Sequence, residues 1–331
     1  MKDSQRRLFI SWDMDQTRSE SLSFYLGATY YCVCPFVKKI GLFRYFFLIL
    51  KYFIASAKTL RVLKKERPDI IFVQHPPIFA PLIVWIYCKM NRAHYVIDTH
   101  SAAVTWKRWV FFQWLHKFLS RAALINLLHN EPLANKVTSW GAQSMTLPDA
   151  PARLETDLVY PFRDGFNAVF VCTYSRDEPI EVVIEAAREM PLINFYITGH
   201  ISRASKNIIN GVRDNVILTD YLQKKDYVAL LTGCSVVICL TLDNDTMQCG
   251  AHEAMELERP IITSNWPVLQ QYFTKGTIHI DNTTKSLVQA ITKIRKNYLD
   301  YCKEIQLLRK ETRITWKKQL FELNKKLNHI N

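Results

Sequence analysis

Two carboxylates in the second half of the chain have the spacing and the setting of a ligand site. Asp245 lies in a polar loop, 241–246, and Glu253 follows eight residues later, about two turns into a predicted helix. The backbone N–H groups at the start of that helix suit a phosphate. One carboxylate before the helix and one within it can bind two sets of hydroxyl groups around an anion. This is the chemistry of binding a sugar nucleotide.

The elements around these acids predict where they stand. Residues 236–240 form an apolar, β-branched run that is typical of a buried parallel strand. A short helix of small and apolar residues is predicted over 248–257, and a proline stops it before a second buried strand at 261–264. In open α/β sheets, ligands bind at the loops that leave the carboxyl ends of strands. The two acids are therefore predicted to face a ligand.

This stretch resembles the E-x7-E box of the family 4 retaining glycosyltransferases, which have the GT-B fold. The matching residues are Asp245-x7-Glu253, Ala254-Met255 and Arg259-Pro260-Ile261-Ile262. The resemblance implies that Asp245 contacts the donor sugar and that Glu253 contacts the nucleotide ribose. It departs from the family at Asp245, which stands where the family has a glutamate. The alternative is a loop acid near a helix cap, followed by a glutamate on a solvated helix face.

The resemblance also implies a wider donor site around these acids. After the predicted strand 168–172, the family places an Arg and a Lys that clamp the donor diphosphate, and here those positions hold Thr173 and Glu178. Either Arg176 or the donors of 173–175 substitute for the clamp, or the loop is only a capped turn. The expected donor-binding residues are Glu253, Thr246, Met247, Gly250, Thr173, Ser175, Arg176, Gly199 and Tyr221.

In the first half, His100 follows the predicted strand 94–98. It resembles the family histidine that lies near the donor sugar and near the bond that is broken when the sugar is transferred. An imidazole in that place can donate to a sugar hydroxyl or to a developing charge. His100 and Asp245 are thus the expected catalytic residues, and His75 is a weaker candidate. Arg18 and Ser19, in the first β–α loop, are expected on the acceptor side. The alternative is a structural role for the two histidines and a solvated N-cap cluster for Arg18 and Ser19.

Two segments of the first half, 40–67 and 106–121, combine aromatic residues with recurring cations. Their uncharged runs fall well short of the roughly 20 residues that a membrane-spanning helix needs. A basic amphipathic helix of this kind lies in a membrane interface, with its cations at anionic headgroups. We therefore predict contact with an anionic membrane surface. The alternatives are buried helices with one solvated stripe, or nucleic-acid stacking, which the high apolar fraction disfavours.

Composition limits the remaining possibilities. The net charge of +13 requires an anionic partner. The eight cysteines lack zinc-ligand spacing, so free thiols in a reducing cytoplasm are expected. The amino-terminal stretch MKDSQRRLFISWDMD has neither the apolar core nor the cleavage site of a signal peptide. Asp243-Asn244-Asp245 resembles a metal-binding D-x-D, but the x7 spacing explains Asp245 without a metal. No cofactor and no metal are expected.

The order of elements predicts an α/β protein of the GT-B type, with two Rossmann-like, doubly wound parallel-sheet domains facing a cleft. The first strand is predicted at 8–12, as a short edge strand. The proposed domains are 1–160 and 166–305, with a carboxy-terminal helix, 306–331, that crosses back to the first domain. Residues 147–165, which contain three prolines, indicate the linker.

These observations predict a retaining glycosyltransferase that transfers a sugar from a nucleotide-sugar donor to a membrane-associated, lipid-linked acceptor in surface polysaccharide or glycoconjugate synthesis. It is expected on the cytoplasmic face of the membrane, peripheral to it, and without a nucleic-acid partner. The rival is a non-catalytic, membrane-bound sugar-nucleotide-binding protein on the same scaffold, which the missing phosphate clamp favours. A nucleic-acid-binding protein is suggested only by the net charge.

Overall fold

The computed structural model describes residues 5–13, 17–34, 44–105, 109 and 111–328, and the chain divides into two compact units. Unit 1 comprises Met1–Ala150 and Lys318–Asn331, and unit 2 comprises Pro151–Lys317. The division after Ala150 falls inside the segment predicted as the linker, earlier than the predicted boundary at residue 160. The end of the chain belongs to unit 1 from Lys318 onward.

Unit 1 is a parallel α/β sheet, ordered β2-β1-β3-β4-β5-β6 within the described residues. Its strands are β1 (Arg7–Ser11), β2 (Thr29–Cys32), β3 (Ile70–His75), β4 (His94–Thr99), β5 (Ile125–Leu128) and β6 (Ser144–Thr146). Its helices are α1 (Thr17–Tyr25), α2 (Arg44–Glu66), α3 (Phe79–Met90), α4 (Ser101–Thr105), α5 (Gln113–Ala122) and α6 (Glu131–Thr138). Strand β3 is buried along its whole length, because helices cover both faces of such a sheet.

Unit 2 repeats this architecture, with the order β12-β11-β10-β7-β8-β9. Its strands are β7 (Phe166–Phe170), β8 (Ile193–Thr198), β9 (Val216–Asp220), β10 (Val236–Cys239), β11 (Ile261–Ser264) and β12 (Thr277–Ile280). Its helices are α7 (Ile180–Glu189), α8 (Lys206–Gly211), α9 (Lys224–Gly233), α10 (Cys249–Glu256), α11 (Pro267–Tyr272), α12 (Thr284–Lys296) and α13 (Tyr298–Asn328), whose last turns belong to unit 1. The strand order reverses between β7 and β10, and ligands bind at such a switch point.

The predicted fold class, two doubly wound parallel sheets, is confirmed. Strand β1, predicted at an edge, instead lies between β2 and β3. Strands β2 and β6 were not predicted, since both are short and only partly buried and so lack an apolar run. Helix α2 covers most of the predicted segment 40–67, whereas residues 40–43, 106–108 and 110 lie outside the described residues. Within the described ranges, no helix has the length and apolarity to cross a membrane.

The core of unit 1 contains two histidines without polar partners. His75, at the end of β3, and His116, on α5, are each 1% exposed. Their ring centroids lie 4.2 Å apart and their planes are nearly perpendicular. Among the described residues, neither ring nitrogen of either side chain has a hydrogen-bond partner. Burial lowers the pKa of His75 well below its ordinary value and that of His116 to about 3, so both are neutral core residues.

These histidines predict acid sensitivity. In the unfolded chain a histidine has a pKa of about 6.5, whereas burial lowers the pKa of His116 in the folded chain to about 3. At a pH between these two values, the unfolded chain binds a proton at His116 that the folded chain does not bind. The free energy of unfolding therefore falls with decreasing pH, by about 1.4 kcal/mol per pH unit for each such group. His116→Leu should reduce the drop in melting temperature between about pH 7.5 and about pH 5. An exposed histidine, His94→Gln, is the control, and an unaltered pH dependence in His116→Leu would contradict the assignment.

Candidate functional site

The loop after β10 has a shape set by its own polar groups. The backbone N–H of Asp243 donates to Thr241 Oγ1 at 3.1 Å, and that of Asp245 donates to Asp243 Oδ1 at 3.0 Å. The carbonyl oxygen of Thr241 accepts from Trp266 Nε1 at 2.8 Å and from Asn282 Nδ2 at 2.9 Å. Asp243 therefore shapes the loop and leaves half-buried Asp245 at its far end. Within the described ranges, no cluster of three or more His, Cys, Asp or Glu side chains fits a metal ion.

Helix α10 begins in close contact with the sheet. A Cβ on Gly250 would lie 2.7 Å from Val171 Cγ1 and 3.0 Å from Cys239 Sγ, so only glycine allows this approach. The residue before the helix, Gln248, makes no side-chain hydrogen bond to it, and Thr246 and Met247 precede it half-buried. The positive end of the helix dipole therefore lies at the switch point between β7 and β10.

Glu253 is a buried carboxylate held by a tyrosine. Its side chain lies within α10 at 6% exposure, and Tyr227 on α9 donates its hydroxyl proton to Glu253 Oε2 at 2.7 Å. Burial and the charge of Glu253 raise the pKa of Tyr227 well above its ordinary value, so the hydroxyl remains a donor. The alternative of a solvated helix face is wrong for Glu253. A buried carboxylate needs polar partners, and the Tyr227 hydroxyl holds this one in a fixed orientation.

The β7–α7 loop (171–179) is closed by the carboxylate of Glu178. Its Oε2 accepts the backbone N–H of Thr173 and that of Ser175, each at 2.8 Å, and the Thr173 hydroxyl at 3.2 Å. Tyr174 between them has φ of 58°, which turns the two N–H groups toward one point. Thr173, Ser175 and Arg176, all predicted to bind the donor, are exposed in this loop.

The β7–α7 loop packs against the loop after β10. The backbone N–H of Leu242 donates to the carbonyl oxygen of Asp177 at 2.7 Å, and Thr241 Oγ1 donates to Asp177 Oδ2 at 3.4 Å. Asp177 also accepts a hydrogen bond from the hydroxyl of Ser175. The two loops therefore form one continuous surface at the carboxyl ends of β7 and β10.

The ends of β8 and β9 form the adjoining part of this edge. Gly199 has φ of 101°, and a Cβ there would lie 2.4 Å from the carbonyl oxygen of Cys172, so the backbone approaches closely as predicted. Tyr221 stacks on His200, with ring centroids 4.5 Å apart and planes 7° from parallel. Both rings are exposed. Gly199 and Tyr221, predicted to bind the donor, thus lie at the same edge of the sheet.

In unit 1, His100 belongs to a network of buried charges. His100 Nε2 lies 3.2 Å from Asp98 Oδ2, and its side chain is 18% exposed. Arg18 binds Asp98 Oδ1 at 2.8 Å and Asp149 Oδ1 at 2.7 Å. His129 Nδ1 lies 3.0 Å from the same Asp149 oxygen. This network gathers at the carboxyl ends of β4, β5 and β6, the edge where the resemblance places His100.

The structure places Arg18 and Ser19 inside unit 1, on α1, rather than in a surface loop facing an acceptor. Arg18 is 3% exposed and Ser19 is fully buried. The reason is electrostatic, because two buried carboxylates need a counter-charge. Burial alone raises the pKa of Asp98, but the Arg18 charge and the His100 hydrogen bond more than offset it and hold that pKa well below its ordinary value. Burial lowers the pKa of His129 to about 4, so this ring is neutral.

Several residues of the site carried no signal in the sequence. Tyr227 precedes Glu253 by 26 positions, on a different helix, and no spacing rule links them. His129 directly follows the apolar strand β5, which is a weak signal for a residue at the sheet edge, whereas Asp149 follows the short strand β6, which has no apolar run that would predict it. Trp266 and Asn282 act through the carbonyl oxygen of Thr241, which only the folded sheet brings to them.

Comparison with known proteins places these features in a family context. Residues 165–297 match the profile described as Glycosyl transferases group 1, a range that lies within unit 2. No curated protein sequence matches the chain significantly. Sucrose-phosphate synthase from Thermosynechococcus elongatus has a TM-score of 0.71 at 13% identity, covering 99% of each chain. Anabaena HepE, solved with UDP and glucose, has a TM-score of 0.70 at 10% identity, covering 97% of this chain and 100% of that one.

A glycosyltransferase from Rickettsia africae is similar over 99% of this chain and 100% of its own, with a TM-score of 0.67 at 13% identity. At such identities the likeness establishes the fold alone. The chain therefore has the GT-B fold of two Rossmann-like domains, and its unit 2 is similar to the group 1 glycosyl transferases, which supports a glycosyltransferase.

Proposed function

We propose that this protein is a retaining glycosyltransferase that transfers a sugar from a nucleotide-sugar donor to a lipid-linked acceptor, on the cytoplasmic face of a membrane, in surface polysaccharide or glycoconjugate synthesis. The observation that carries the proposal is the buried Glu253, fixed by Tyr227 and placed eight residues after Asp245 at the switch point of unit 2. The similar Anabaena protein was solved with UDP and glucose and with UDP-glucose, which supports a nucleotide-sugar donor.

In this proposal each group of unit 2 has one task. Glu253 accepts hydrogen bonds from the ribose hydroxyls, and Asp245 accepts them from the donor sugar. The diphosphate rests at the start of α10, where backbone N–H groups and the helix dipole stabilise the charge that develops on the leaving group. No metal ion is needed for that task. The proposal that the sugar keeps its anomeric configuration rests on the spacing of Asp245 and Glu253, which resembles the E-x7-E box of the retaining family.

The proposed role of His100 depends on Asp98. In a neutral imidazole, donation from Nε2 to Asp98 leaves Nδ1 as an acceptor for a sugar hydroxyl. Arg18 neutralises Asp98 and so supports His100 from inside unit 1 instead of contacting an acceptor. The network thereby orients a partly exposed ring at the end of β4.

The membrane part of the proposal rests on one surface of unit 1. Helices α2, α3 and α5 each present an apolar pair four residues apart, which places both members on one face. The exposed pairs are Ile49 and Phe53, Ile86 and Met90, and Trp114 and Phe118. Monomeric soluble proteins rarely expose large contiguous apolar patches, and an exposed patch of this kind marks an interaction site.

Aromatic contacts hold these three helices together. Tyr52 of α2 packs on Phe79 of α3 at 4.9 Å between centroids, and Trp85 of α3 packs on Phe118 of α5 at 5.2 Å. Exposed cations accompany the apolar pairs, namely Lys58, Arg61, Lys89, Arg92 and Arg121. Apolar side chains in the acyl boundary with cations at anionic headgroups are typical of interfacial binding. The free cysteines of the chain suit a reducing cytoplasm.

The second candidate function is a non-catalytic sugar-nucleotide-binding protein. The observation that favours it is the β7–α7 loop, where Glu178 and Thr173 occupy the positions at which the family clamps the diphosphate. Sugar transfer or nucleotide-sugar hydrolysis by the purified protein separates the two.

Turnover tests the donor site directly. With folding verified by circular dichroism, Asp245→Ala should lower kcat by about 100-fold or more, because it removes a contact with the donor sugar at the reacting end. Glu253→Ala should lower kcat/KM by about 100-fold, mainly through a higher donor KM, because it removes the ribose contacts. Glu189→Ala, an exposed acid on α7, is the control. The donor is first identified as the UDP-, GDP- or ADP-sugar that raises the melting temperature. Undiminished activity in both variants would refute the assignment.

Tyr227→Phe tests whether the hydroxyl positions Glu253. A hydrogen bond to a charged group contributes about 1.5–3 kcal/mol, so the donor KM should rise by about tenfold or more. The kcat should change little, because ribose contacts are equal in the ground state and the transition state. Steady-state kinetics with Tyr160→Phe as the control measures this. A loss confined to kcat is the result that would count against it.

Membrane binding is tested by flotation with vesicles that contain anionic lipid. A charge placed in the apolar surface must be dehydrated on insertion, so Phe53→Glu combined with Trp114→Glu should lower the bound fraction by about tenfold or more. Leu192→Glu changes an exposed leucine of unit 2 and serves as the matched control. Equal flotation of the double variant and the control would rule out this surface.

A further inference from the structure

The β7–α7 loop has the backbone geometry of an anion-binding site that is already filled. The N–H groups of Thr173 and Ser175 converge on one oxygen of Glu178, each at 2.8 Å. Tyr174 between them adopts φ of 58°, the left-handed conformation that forms such concave sites from successive N–H groups. The Thr173 hydroxyl and the Cys172 thiol also lie within hydrogen-bonding distance of this carboxylate, at 3.2 Å and 3.4 Å. Every one of these groups can act as a donor.

The position of this loop indicates which ligand its N–H groups would meet. It leaves β7 beside β10, where the strand order reverses, and ligands of open α/β sheets bind at that point. Val171 at the base of the loop contacts Gly250 at the start of α10. Asp177 accepts the N–H of Leu242 from the neighbouring loop. A phosphate at the start of α10 therefore meets the loop that Glu178 closes.

Two anions cannot use the same N–H groups at once. A phosphate that approaches Thr173 and Ser175 either displaces the Glu178 carboxylate or stands beside it, and like charges a few ångströms apart repel each other. Displacement also requires that the carboxylate recover its hydrogen bonds from water, and Glu178 is half-buried and so within reach of solvent.

We propose that Glu178 is an internal competitor for the phosphate groups of the donor and is the residue that sets affinity for them. The carboxylate leaves the N–H groups of Thr173 and Ser175 when the donor binds, and it returns as the diphosphate product departs. Its return favours product release, a step that limits turnover in many enzymes. This inference rests on the proposed function, since it takes the ligand of unit 2 to be a nucleotide with a diphosphate.

The test is Glu178→Gln, which removes the charge and keeps an oxygen that accepts the loop N–H groups. Calorimetry with inorganic pyrophosphate, UDP and uridine measures the dissociation constants. Binding of pyrophosphate and of UDP should tighten by about tenfold, whereas uridine, which has no phosphate, should bind as it does to the wild type. Glu181→Gln loses the same charge from an exposed position in the first turn of α7 and should leave all three constants unchanged.

A purely structural role for Glu178 predicts another outcome. The variant would then melt at a lower temperature, and pyrophosphate would bind to it no more tightly than to Glu181→Gln, which would overturn the proposal. Glu178→Ala provides the same comparison if the glutamine variant does not fold. Pyrophosphate binding reports on Glu178 independently of the nucleotide. A folded wild type that binds no nucleoside diphosphate would count against the proposed function, and unaltered pyrophosphate binding would count against Glu178 alone.

Discussion

The contact between the first turn of α10 and the ends of β7 and β10 is the constraint on which the rest of unit 2 depends. Gly250 permits it, because any side chain there would overlap Val171 and Cys239. The helix is held at its other end by charge. Glu256 is buried and pairs with Arg309 at 3.3 Å and Arg313 at 3.0 Å. The two attachments fix the depth and direction of the helix, and hence the position of the carboxylate of Glu253 along it.

Two buried carboxylates, Asp98 of unit 1 and Glu253 of unit 2, have partners of different charge. In unit 1, Arg18 lies between Asp98 and Asp149 and the adjoining histidines complete the network, so little of it except His100 reaches the surface. In unit 2, the carboxylate of Glu253 has a neutral partner, the Tyr227 hydroxyl. A neutral partner orients a carboxylate without cancelling its charge. In the proposed function this contrast suits Glu253 to ligand hydroxyls, whereas Asp98 orients His100.

If Glu178 competes with the donor phosphates as proposed, the β7–α7 loop affects both donor binding and turnover. A cation at position 178 would bind a diphosphate tightly and would also retain it as a product. In the proposed function, the carboxylate at that position weakens the phosphate contacts and leaves affinity to the ribose contact of Glu253 and the sugar contact of Asp245. The absence of a cationic clamp favours a binding protein, whereas easier release of the diphosphate would favour turnover. The same residue, Glu178, therefore bears on both of the functions considered for the chain.

The sequence by itself determined the two-unit α/β architecture, the strands β7, β10 and β11 of unit 2, helix α10 and the spacing of Asp245 and Glu253. These features are local, because a buried parallel strand requires a continuous apolar run and a helix beside the sheet requires small residues. The burial of Arg18, the Tyr227 hydroxyl on Glu253 and the Glu178 carboxylate on its own loop were decided only by the tertiary structure. Each depends on groups that the local pattern does not specify, since a charge or a hydrogen-bond donor gains its role from whichever distant element packs beside it.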